Sequence, residues 1–101
     1  MEYNTSKSAD GLEVDLIGRL TFDEHTVCRQ LISELTEGDS NNKVINLSNL
    51  EFIDSAGLGL LLRIQDACSK AGQTLSLRVP SDGQVQKMLQ VARFDQLVPY
   101  V

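Results

Sequence analysis

The feature that most restricts the fold of this chain is a helical stripe that opens on a glycine. Placed at about 100° per residue, Gly57, Leu60, Leu61, Ile64, Ala67, Cys68 and Ala71 fall on one arc, so the segment from about Ala56 to Ala71 predicts a helix with one face able to pack on a sheet. It is entered through Phe52-Ile53-Asp54-Ser55, and a serine or aspartate just before an apolar periodic run accepts from the unpaired amides of the first turn. Ser55 is expected to be the cap. Leu58 and Leu62 point roughly 120–160° from the centre of the arc, with Gln65, Asp66 and Ser69, so both leucines are expected on the wetter face near the serine. A pair of large apolar side chains there suits the middle of a docking surface. Gly57 and Gly59 each weaken the helix by about 1 kcal/mol relative to alanine, and close approach of another backbone, from the sheet or from a partner, would offset that.

Elements that can support such a helix flank it on both sides. Glu2 to Lys7 is polar and makes a weak first strand, after which Ala9-Asp10-Gly11 supplies a hairpin turn. Leu12, Val14 and Leu16 alternate with Glu13 and Asp15 as a strand with one wet face, ending at Gly18. Thr21-Phe22-Asp23-Glu24 matches a capping box, and the helix that follows carries Val27, Cys28, Leu31 and Leu35 on one stripe and stops near Gly38, before a polar loop over Asp39 to Asn42. Val44-Ile45-Asn46-Leu47 predicts a central strand covered on both sides, and Leu75, Leu77 and Val79 predict another. Pro80-Ser81-Asp82-Gly83-Gln84 opens a third helix with a second capping-box pattern, with Val85, Met88, Leu89 and Ala92 buried; Phe94, Leu97 and Val98 close the core. Strand, strand, helix, strand, helix, strand, helix is an α/β order, a single domain over residues 1–101 with a mixed β-sheet of about four to five strands flanked by helices.

Composition removes several classes of function. At 101 residues and 42% hydrophobic the chain fits one modest core. A net charge of −5 opposes nucleic-acid phosphates, and no Lys/Arg cluster reverses that locally, so no nucleic-acid partner is expected. Cys28 and Cys68 fall at apolar helical positions without metal-ligand spacing, so no metal and no cofactor are expected, and the thiols read as core residues of a cytoplasmic protein. The longest apolar run, Ala56 to Leu62, is too short to cross a bilayer, and no membrane insertion is expected. A nucleotide loop is disfavoured, since Gly57-x-Gly59-x-x-Leu62 lacks the third glycine of the dinucleotide fingerprint. A serine hydrolase needs a base, and the only histidine, His25, lies on another helix and reads as an exposed helix residue; no catalytic residue is assigned and the chain is expected not to be an enzyme. Asp23 and Glu24 read as acids at a helix start. Asn46 is either a satisfied polar group at a strand end or part of the serine site.

Two stretches carry a family resemblance: Gly18-Arg19-Leu20-Thr21, and Val44 to Gly59 with its Asp54-Ser55-Ala56-Gly57-Leu58-Gly59 core. Together they resemble the anti-sigma factor antagonists of bacteria, stand-alone STAS domains, and the similarity covers essentially the whole chain. The resemblance implies partner switching. The unphosphorylated antagonist binds an anti-sigma factor that is often itself a serine kinase, phosphorylation releases it, and a PP2C-type phosphatase resets it. The family's phosphorylated serine falls on Ser55; Ala56 stands where many relatives carry a second hydroxyl, and Thr21 where relatives frequently carry an acid. The partner-binding set implied is Thr21, Asp54, Ser55, Ala56, Gly57, Leu58, Gly59 and Leu62, on a chain that is a monomer when free. The alternative is a STAS subunit of a lipid or anion transport complex, a docking module that needs no phosphorylation.

Overall fold

The long second strand organises the sheet. The computed structural model describes residues 1–8, 11–37 and 41–101. Strand β1 (Glu2–Ser8) pairs antiparallel with β2 (Gly11–Leu20), from Glu2 opposite Ile17 to Ser8 opposite Gly11. The expected turn residues Ala9 and Asp10 lie outside the described residues, as do Gly38 and Asp39 in the expected helix stop and loop. The other edge of β2 takes two short strands in succession, both parallel to it: β3 (Asn42–Asn46) along its first half and β4 (Leu50–Ile53) along its second. Strand β5 (Thr74–Arg78) pairs parallel with β3, completing a five-stranded mixed sheet.

Strand β4 is absent from the sequence reading, which passes from Val44–Leu47 to the serine helix through an unassigned connection. It is only four residues long, and just Leu50 and Ile53 of them are buried. An Asx turn creates it: Asn46 Oδ1 accepts from Ser48 N at 2.9 Å and Leu47 O from Leu50 N at 3.1 Å, so the chain steps aside and rejoins β2 further along. Gly18 does not end β2. It sits at φ +101°, where the register to β4 shifts, and the strand continues to Leu20.

Helices α1 (His25–Glu37), α2 (Ser55–Lys70) and α3 (Gly83–Val91) contribute their buried residues to the same core as Val14, Leu16, Ile45, Leu47, Leu75 and Leu77 of the sheet. The alternate residues of those strands tell a different story. Glu13, Asp15, Val44, Asn46 and Ser76 are half-buried and Arg78 is exposed, so β3 is not covered on both sides as expected. Its outer face belongs to a polar network in which Asn46 Nδ2 donates to Glu13 at 3.1 Å, Arg78 pairs with Glu13 at 3.3 Å, and Asn49 donates to Asp15 at 3.0 Å. Asn46 is thereby a satisfied strand-end group.

Neither capping box forms. Thr21 makes no side-chain cap; a 3₁₀ turn over Phe22–Glu24 leads into α1, and the Glu24 carboxylate lies 3.1 Å from the Met1 nitrogen instead. Asp82 stands at the start of α3 without a side-chain bond, and the Gln84 side chain that would close the second box is engaged with Ile53 instead. The α3 stripe is narrower than expected: Val85 and Leu89 are buried, Met88 half-buried and Ala92 exposed. Phe94 and Val98 close the core, whereas Leu97 is 51% exposed. One charged side chain enters the core unannounced: Lys43 is 1% exposed and its Nζ has no hydrogen-bond partner.

Candidate partner-docking site

The start of α2 is fixed from three directions. Asp54, in extended backbone at φ −110°, is the helix cap, and its Oδ1 accepts from Gly57 N at 2.7 Å. Ser55 is therefore the first helical residue and not the cap, correcting the sequence expectation. Beneath the first turn lies the end of β2. The Leu20 carbonyl accepts from Asp54 N at 3.4 Å, and a Cβ on Gly57 would collide with that same carbonyl and with Ile53 Cγ1. Gly57 is buried for this reason. On the outer edge, Gln84 of α3 holds Ile53 with two hydrogen bonds, donating to its carbonyl at 2.7 Å and accepting from its amide at 3.0 Å. The Gln84 side chain thus completes the edge of β4 as a neighbouring strand would.

This arrangement brings together the two sequence stretches that stand far apart along the chain, Gly18 to Thr21 and Asp54 to Gly59. It leaves Ser55 exposed at the positive end of the helix dipole, with the hydrogen bonds of the turn running through Asp54 and Gln84. Around it Gly59 is exposed, Leu62 is 38% exposed, and Thr21, Asp54 and Ala56 are half-buried. Leu58 departs from the expectation: it is half-buried and packs on the core. Because Gly57 lets the first turn settle onto β2, the flank of that turn is drawn inward as well.

The apolar surface lost at Leu58 is supplied by a residue the sequence reading passed over. Phe22, directly after Thr21, is 68% exposed and borders an open groove with His25, Ala56, Gly59, Leu60 and Arg63. Its signal in the sequence is a large aromatic amid Thr21, Asp23 and Glu24, which the capping-box reading absorbed. His25 is exposed as expected; its Nδ1 lies 3.2 Å from the Phe22 carbonyl and its ring is 5.6 Å from the Phe22 ring. Burial first, then the Glu24 charge, pushes the Cys28 thiol up to about 11 against the opposing Arg63, and burial likewise pushes Cys68 up, so both free thiols are poor nucleophiles. Among the described residues no group of His, Cys, Asp and Glu is placed to hold a metal, and no helix is long and apolar enough to cross a membrane.

The family model described as Mlab, STAS domain, matches residues 3–99. A STAS-domain-containing protein of Pseudomonas aeruginosa (strain UCBPP-PA14) is 32% identical over 99 residues, covering 96% of this chain and 96% of that protein. Among solved structures, an anti-sigma factor antagonist from Mycobacterium paratuberculosis has a TM-score of 0.76 at 19% identity, covering 98% of this chain and 83% of that one. The anti-sigma factor antagonist SpoIIAA of Bacillus, in its unphosphorylated form, has a TM-score of 0.66 at 23% identity, covering 92% and 83%. At these identities the structural likeness speaks for the fold, and the match of the family model over nearly the whole length places the chain in the STAS domain family.

Proposed function

We propose that this chain is an anti-sigma factor antagonist that works by partner switching, with Ser55 as the residue whose phosphorylation releases the partner. The observation that carries the reading is the division of labour at the start of α2. Asp54 caps the helix, so the exposed Ser55 hydroxyl is free to change its charge without removing a bond the fold relies on. A phosphate at the first helical position meets the positive end of the dipole, where the architecture tolerates it. A partner does not: the Asp54 carboxylate is next in sequence, and a surface fitted to a hydroxyl beside Gly59 and Leu62 would have to bury a doubly charged group. A loss of roughly 3 kcal/mol of binding is about a hundredfold in affinity, enough for a switch.

The likeness to solved anti-sigma factor antagonists supports this role; among the described residues no base is hydrogen-bonded to the Ser55 hydroxyl, and the one histidine turns its Nδ1 to the Phe22 carbonyl, which favours a binding module over an enzyme. The partner surface comprises Ser55, Ala56, Gly59 and Leu62 with the exposed Phe22, rimmed by Thr21 and Asp54, with Leu58 half-buried at its flank and Gly57 holding it to the sheet from beneath. Its partners are a serine kinase that is also an anti-sigma factor, and a phosphatase that resets Ser55. Incubation with the cognate kinase and ATP, followed by mapping of the phosphate by mass spectrometry, tests the reading. Label is expected on Ser55 and absent from Ser55→Ala; label elsewhere that persists in Ser55→Ala contradicts it. Recovery of a transport ATPase with Ser55→Ala, and of no kinase, would favour a transport-complex subunit instead.

A further inference from the structure

The groove between α1 and α2 opens at the serine end of α2 and carries two chemistries side by side. Its mouth, about 310 Å³, is lined by Phe22, His25, Ala56, Gly59, Leu60 and Arg63, and the lining continues between the helices through Cys28, Arg29 and Ile32. Leu60, only 7% exposed, forms an apolar floor beside the exposed Phe22 ring. Arg29 and Arg63 are both exposed, and among the described residues neither has a carboxylate within ion-pair distance. In a chain with 14 acidic and 9 basic side chains, two unpaired guanidinium groups on one groove form a local positive strip against the overall charge.

Gly59 adds a second asymmetry. A Cβ placed there meets nothing within 4 Å, so no contact inside this chain requires glycine at a helical position that disfavours it. A furrow between two helices accepts a third helix along its length, and the sign of the strip selects an acidic one. We infer that this groove receives an acidic amphipathic helix of the protein partner, with carboxylates on Arg29 and Arg63, apolar side chains over Phe22 and Leu60, and backbone passing close to Gly59. The inference rests on the reading of the α2 start as the partner surface and specifies the chemistry that surface takes. An anionic membrane would meet the same two arginines, but it presents a broad flat surface, whereas the cleft is of side-chain size and takes groups that project into it.

The test uses the intact chain and a labelled synthetic peptide about four helical turns long, with leucines at i, i+3, i+4 and i+7 and glutamates on the flanks. Its twin carries lysine for every glutamate, and vesicles of phosphatidylglycerol form a third arm. The glutamate peptide should bind, with amide shift changes confined to residues 22–32 and 56–63. The Arg29→Glu/Arg63→Glu double variant should weaken it by roughly tenfold or more while melting as the parent does. Gly59→Leu should block binding by filling the approach, also without loss of fold. Equal binding of the lysine twin, shift changes elsewhere, no peptide binding, or capture by vesicles in place of the peptide would each overturn the inference. None of these readouts depends on phosphorylation, so kinase labelling of Ser55 on the same samples separates failure of the groove from failure of the switch.

Discussion

Asp54, Ser55, Gly57 and Gly59 lie within five residues of one another and do four different things. Asp54 satisfies an amide of the first turn, so Asp54→Ala should lower unfolding stability by about 1 kcal/mol. The two glycines should respond to alanine with opposite signs. At Gly57 the new Cβ meets the Leu20 carbonyl, which cannot move without disturbing β2, and Gly57→Ala should destabilise by about 2 kcal/mol or more. At Gly59 the Cβ enters open space, and Gly59→Ala should stabilise by up to about 1 kcal/mol. Urea denaturation of the two variants decides the matter: a Gly57→Ala protein as stable as the parent would show that the helix does not sit on β2 as described.

Among the elements, β3 and α1 each carry a side chain whose burial makes a prediction. Lys43 places an amino group in the core without a hydrogen bond, so Lys43→Met, similar in length and apolar, should raise the melting temperature by several degrees, and a fall would mean that the amino group is satisfied in solution. The Cys28 thiol of α1 is held up at about 11 from 9.0 mainly by burial, so the folded chain keeps its proton where the unfolded chain loses it. Its contribution is intact below pH 9.0 and is lost as pH rises toward about 11. The urea midpoint should fall over that window, and less steeply in Cys28→Ala; equal slopes would remove the assignment.

The same elements show what a sequence discloses. The α2 arc was legible because seven small or apolar residues repeat at helical spacing, and the structure buries Gly57, Leu60, Leu61, Ile64 and Cys68 of them. Strand β4 was not, because four residues with two facing inward carry no period, and its existence depends on pairing with residues more than thirty positions earlier. The capping boxes misled for a related reason. Gln84 reaches Ile53 rather than its own helix start, and no local pattern foretells a long-range partner that competes for the same side chain. At the site, the start of α2 was legible to within one residue, the cap falling on Asp54 and not on Ser55. The exposure of Phe22 and the partial burial of Leu58 depend on how the first turn of α2 settles on the sheet, which helical spacing does not encode.

For the molecule as a whole, a charge change at one tip should leave the architecture intact. The Ser55 hydroxyl is outside the bonds made by Asp54, Gly57 and Gln84, and the shared core of sheet and helices lies beneath them. Ser55→Asp should therefore melt within a few degrees of the parent, and its amide spectrum should differ only around Thr21 and residues 54–62. The most direct measurement is a titration of the cognate kinase partner against unphosphorylated and Ser55-phosphorylated protein, with the melting temperature of both forms recorded on the same samples. Affinity should fall by about a hundredfold with melting nearly unchanged. Equal affinity of the two forms, or loss of binding accompanied by loss of the fold, would contradict it.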